Sequence, residues 1–121
     1  MRLIYPVIFC SLLLTTAQVV WKQGLIRIGG FQPSLHNYHA SLLALCMSPY
    51  IMIGVVLYIV ATVVWLRILS HTPLSLAYPL MSLSYIMGVL AGWVVFKESV
   101  PVTRWLGVVV ICGGICLMAR K

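Results

Sequence analysis

The chain has 121 residues, 63% of them hydrophobic and 7% charged, and its single acidic residue against eight Lys and Arg leaves a net charge of +7. So little polar material excludes a soluble globular domain. The cations fall singly at the ends of apolar runs, which is the pattern of membrane flanks and excludes a nucleic-acid patch.

Four apolar stretches have the length of transmembrane helices, which need about 20 residues each, and together they make 1–121 one membrane domain. The first is read at Leu3–Trp21. Met1-Arg2 before an apolar run has the outline of a secretory signal, but the run continues to Trp21 and Lys22 with no small-x-small cleavage site, and three more spans follow. Within it, Ser11, Thr15, Gln18 and Lys22 are four, three and four residues apart, so they share one narrow stripe of the helix. The connection from Lys22 to Ala40 is the only long one, with Gly24, Gly29, Gly30 and Pro33, then His36, Tyr38 and His39. Its His and Tyr residues read as headgroup anchors, with a metal or pH role as the alternative.

The second helix is placed at Ser41–Leu66 and the third at Pro73–Phe96, each carrying an internal proline (Pro49, Pro79). A kink is predicted near Pro79, because proline removes a backbone hydrogen bond. Pro73 and Pro101 stand where a helix can start, since a first-turn N–H is unpaired anyway. The third helix carries a second polar stripe, Ser75, Tyr78, Ser82 and Tyr85. It runs across the membrane in the same direction as the first, so both stripes can line one groove; interhelical hydrogen bonding is the simpler alternative. A row of small residues, Ser84, Gly88 and Gly92, reads as a face for close helix packing that binds nothing. The fourth helix, Val102–Ala119, offers Gly107 and Gly114 on one face and reads as the assembly helix. Cys10, Cys46, Cys112 and Cys116 lie in the hydrocarbon zone and act as small apolar residues. Cys112 and Cys116 share a face, yet no His or carboxylate is near them in sequence to complete a metal site.

An even number of spans puts Arg2, Arg67, Arg120 and Lys121 on one side and Lys22, Arg27, Lys97 and Arg104 on the other. The termini are assigned to the cytoplasm, with dual insertion left open by so even a distribution. Lys22 and Glu98 fall near the same surface, where Glu98 forms an ion pair with Lys22, Lys97 or Arg104, Lys22 and Glu98 being the pair or gate singled out, or Lys22 attracts an anionic headgroup as a point charge. No catalytic cluster, nucleotide loop or HExxH-type motif is present, so neither an enzyme nor a cofactor is indicated.

The run Thr72-Pro-Leu-Ser-Leu-Ala-Tyr-Pro-Leu-Met-Ser-Leu-Ser-Tyr85, then Phe96-Lys-Glu98, then Leu106-Gly and Ile-Cys-Gly-Gly-Ile115, resembles the four-helix unit of the drug/metabolite transporter superfamily. Gln18 to Gly24 is similar to the Gln-x-x-x-Lys element that ends its first helix. The resemblance implies an all-α integral membrane fold, a four-transmembrane-helix bundle of small multidrug-resistance type. Small multidrug-resistance exporters share the size and the Ala-Tyr element, but their proton-exchanging acid on the first helix corresponds to a place near Leu14 here, and Met81 stands where they carry an aromatic. The flippase subunits for undecaprenyl-phosphate-linked aminoarabinose are matched at Tyr78 to Ser84, Lys22 and Glu98. This branch implies translocation of a polyprenyl (undecaprenyl)-phosphate-linked sugar across the bacterial inner membrane, for envelope glycan or lipid A modification. Gln18, Tyr78, Ser82 and Tyr85 would then contact the headgroup and Lys22 its phosphate. The partners expected are membrane lipids, the lipid-linked sugar and a second four-helix subunit, identical or related, packed on Gly107 and Gly114. The alternatives are an exporter of organic cations and a non-transporting membrane subunit of a larger complex.

Overall fold

Proline and glycine punctuation sets where the helices stop in the computed structural model, which describes residues 4–30 and 37–119. Arg2, Pro33, His36, Arg120 and Lys121 lie outside the described residues. In chain order the helices are α1 (Ile4–Arg27), α2 (Tyr38–Met47), α3 (Pro49–His71), α4 (Leu74–Met81), α5 (Leu83–Val94) and α6 (Val102–Ala119). Four segments are long and apolar enough to cross a bilayer: α1, α3, α4 with α5 as one span from Leu74 to Val94, and α6. The protein is an all-α, multi-pass membrane protein.

Besides shifts of one to three residues at the start of α2 and the ends of the third span, three boundaries differ from the sequence reading, each for a local reason. The first helix runs past Trp21 to Arg27, because Lys22 and Gly24 do not stop it. The stop comes at Gly29 and Gly30, whose φ values of +79° and +87° end the helix. Gly30 N–H donates to the Leu25 carbonyl at 2.8 Å and Gly29 N–H to Ile26 at 3.3 Å, a Schellman closure. The expected helix from Ser41 to Leu66 is in fact two helices. Ser48, preceding Pro49, is forced to an extended conformation (φ −75°, ψ 118°), which separates α2 from α3. Thr72, preceding Pro73, is extended for the same reason (φ −136°, ψ 134°) and ends α3 at His71, beyond Leu66.

The third span breaks three residues after Pro79, at Ser82, between α4 and α5. There the Pro79 carbonyl accepts from both the N–H and the hydroxyl of Ser82, and Tyr85 N–H donates to Ser82 at 3.0 Å. These i to i+3 bonds tighten the helix locally.

Packing is concentrated on α1 and α3, the pair in most extensive contact. Their buried residues are small or slender: Val7, Cys10, Ser11, Ala17, Gly24, Gly54, Ala61 and Ile68. Small residues let two backbones approach where lipid gives no hydrophobic drive for association. Trp21 lies so close to Gly54 that any side chain at 54 would collide with its indole. That ring also stacks on Tyr58 at 5.4 Å between centroids and donates Nε1–H to the Ile51 carbonyl at 3.0 Å. A Cβ at Gly24 would meet Tyr50 Cβ at 2.8 Å. On the other side of α1 lies α5, while α6 leans on α4 and α5 and buries none of its described residues.

Candidate functional site

The site is organised by the one acid in the chain. After α5, Lys97 takes a left-handed conformation (φ +52°) that a lysine adopts at a cost of about 1 to 2 kcal/mol. The turn it makes brings the Glu98 N–H back to the Gly92 carbonyl at 3.1 Å. The Glu98 carboxylate settles over Gly92, with Oε2 3.0 Å from where a Cβ would stand, and Oε1 accepts a hydrogen bond from Lys22 Nζ. Lys22 also lies over the Phe96 ring, 4.4 Å from its centroid. The ion pair ties the end of α1 to the end of α5. With the two side chains 47% and 37% exposed, an attraction of this kind is worth at most about 1 kcal/mol.

Three adjoining cavities share Gln18. The smallest, about 140 Å³, is lined by Thr15, Gln18, Lys22, Gly88, Gly92, Phe96 and Glu98. A second, about 380 Å³, is walled by Gln18, Tyr58, Thr62, Trp65, Tyr78, Ser82 and Tyr85. A third, about 370 Å³, is bounded by Gln18, Ser84, Tyr85, Gly88, Gly92, Glu98 and Arg104. The two larger volumes fall in the roughly 300 to 1,000 Å³ range of small-molecule sites.

Chemically the cavities differ. The second has aromatic faces, with Trp65 and Tyr78 edge to face at 5.6 Å, together with hydroxyls and an amide, and no charged group lines it. Such a wall suits a polyhydroxylated ring, whose apolar C–H faces pack on aromatics while its hydroxyls find donors and acceptors. The first and third hold both cations of the site, Lys22 and Arg104, with Glu98 lining each.

Of the residues singled out in the sequence, Gln18, Tyr78, Ser82 and Tyr85 lie around one cavity, and Lys22 and Glu98 meet in the next. Two members of the stripes stand apart. Ser11 is fully buried, with no hydrogen-bond partner for its hydroxyl, and Ser75 is exposed and lines none of the three cavities. Within the chain, among the described residues, no helix is seated against Gly88 or Gly92. Gly88 and Gly92 border the first and third cavities and Ser84 the second and third; at Gly88 nothing comes within 4 Å of a Cβ position and at Gly92 the neighbour is the Glu98 carboxylate. Gly107 and Gly114 likewise face open space within the chain. Sequence reasoning missed Tyr58, Thr62 and Trp65, whose spacing of four and three residues was a signal; of the three cations it offered Glu98 as partners, Lys22 makes the ion pair and Arg104 shares the third cavity.

The EamA-like transporter family matches residues 3–120. Curated relatives include proteins named probable 4-amino-4-deoxy-L-arabinose-phosphoundecaprenol flippase subunit ArnE. The one from Pseudomonas fluorescens (strain Pf0-1) is 41% identical over 58 residues, covering 48% of this chain and 51% of the relative. That from Salmonella typhimurium (strain LT2) is 41% identical over 58 residues, covering 48% and 52%. The chain thus spans about half the length of the curated relatives it matches. No solved structure matches it.

Proposed function

Because this chain belongs to the EamA-like transporter family, whose members are transporters and not enzymes, we propose that it translocates a polyprenyl-phosphate-linked sugar across a bacterial inner membrane. The observation that carries the reading is the partition of the cavities around Gln18: an uncharged aromatic and hydroxyl-bearing wall on one side, two cations on the other. The sugar occupies the first region, against Tyr58, Trp65, Tyr78, Ser82 and Tyr85, and the phosphate the second, near Lys22. The polyprenyl tail stays in lipid beside the open groove. Support from the relatives lies in their printed name, which joins a sugar to phosphoundecaprenol. Gly107 and Gly114 carry the contact with a second four-helix subunit, identical or related, in keeping with relatives that are named as subunits.

An exporter of organic cations needs a free acid in its path. Here α1 has none and Glu98 is already paired with Lys22. The test is thermal melting of the purified protein with a glycosylated undecaprenyl phosphate or with tetraphenylphosphonium. A hundredfold excess over the dissociation constant stabilises by about 2.7 kcal/mol, which a melt resolves. The lipid is expected to raise the melting temperature and the cation to leave it unchanged; the reverse pattern overturns the reading.

A further inference from the structure

We infer that Glu98 is an exchangeable counter-ion that holds Lys22 while the site is empty and passes to Arg104 when a lipid phosphate takes its place on Lys22. The inference rests on the proposed function, since the phosphate of the lipid is the displacing group, and it adds a role for Arg104 that the reading does not require.

Four observations carry it. Glu98 is the only carboxylate side chain in the sequence, against eight Lys and Arg, so an anion entering the site meets a lysine already neutralised from within. The ion pair is not locked in a dry interior: both partners are more than a third exposed, and pairs in such settings are exchangeable. Glu98 lines two adjoining cavities, one with Lys22 and the other with Arg104, so it borders a space shared with each cation. Gly92 and Gly88 border both cavities, and at Gly88 no atom stands within 4 Å of a Cβ position, which leaves a side-chain-free floor between the two cations. The backbone of Glu98 is held by its bond to Gly92, so the exchange we infer is a movement of its side chain. Functionally, it lets the empty site keep no unpaired cation at Lys22, and it offers the phosphate an internal competitor that assists release.

The test is equilibrium binding of undecaprenyl phosphate to the purified protein, with inorganic phosphate titrated in parallel, across two double-mutant cycles. Glu98→Gln keeps the side chain's volume above Gly92, and Glu98→Ala serves as the second variant if the first melts early. Removing the competitor is expected to tighten lipid binding by roughly two- to fivefold, the worth of an exposed pair, and to do nothing in the Lys22→Gln background. Arg104→Gln is expected to weaken binding in the wild-type background, where the displaced carboxylate loses its new partner, and to have no effect once Glu98 is Gln. Inorganic phosphate, lacking the tail, is expected to bind far more weakly with the same pattern. Equal tightening with and without Lys22 means general charge repulsion and overturns the exchange. Equal weakening by Arg104→Gln with and without Glu98 makes Arg104 a direct phosphate ligand and also overturns it. If Lys22→Gln binds too weakly to titrate, the Arg104 and Glu98 cycle decides alone. Failure of the wild-type protein to bind undecaprenyl phosphate at all removes the proposed function itself, a result distinct from either.

Discussion

The α1–α3 pair and α6 are built from the same kinds of residue and do opposite things with them. In α1 and α3, Gly24 and Gly54 are filled by Tyr50, Ile51 and Trp21, so each glycine is a contact. In α6, Gly107, Gly113 and Gly114 meet nothing within 4 Å, and the helix buries no residue. A glycine in a membrane helix therefore marks a close approach only if something approaches. The first pair holds the chain together; α6 presents its glycines outward, where the proposed second subunit would supply the missing contact.

Breaking the tight side should have the largest effect. Gly54→Leu forces Trp21 off α3, and the overpacking is expected to cost about 1 to 3 kcal/mol or more, read as a fall in melting temperature in detergent. Next comes Trp21→Phe, which loses the bond to the Ile51 carbonyl and is expected to cost about 1 kcal/mol. On the open side, Gly114→Leu touches nothing in its own chain, so the stability of the single chain should stay within about 0.5 kcal/mol. Its effect should appear instead as loss of the oligomer by crosslinking or native mass analysis. If Gly114→Leu lowers the melting temperature of the single chain as Gly54→Leu does, the contrast between the two regions fails. If the oligomer survives, the second subunit sits elsewhere.

Much of this was legible from local pattern. Hydropathy over about 20 residues found four spans, and helical spacing put Gln18 on α1 and Tyr78, Ser82 and Tyr85 on the third span on faces that the fold turns toward each other. Pre-proline restriction was equally local: it was read at Thr72, where Pro73 starts a helix, but an apolar run masked it at Ser48. The rest depends on which helices meet. Spacing alone cannot tell a glycine row that receives a helix of its own chain from one that borders a cavity, as Gly88 and Gly92 do. Tyr58, Thr62 and Trp65 were overlooked because so few polar groups stood out in an otherwise apolar helix, and their value lies in facing Tyr78 on a distant segment. The seat of Glu98 needs a left-handed Lys97, which no periodicity announces.

The measurement that bears most directly on the central claim is translocation of a glycosylated undecaprenyl phosphate in proteoliposomes, using the assembly that the chain forms when extracted from its membrane. The account predicts that the wild-type assembly moves the headgroup to the far leaflet faster than protein-free vesicles. Lys22→Gln, although folded, should slow that movement about tenfold or more, the loss of a charge-assisted phosphate contact of about 1.5 to 3 kcal/mol. Wild-type rates in Lys22→Gln, or no translocation by the wild-type assembly, would contradict it.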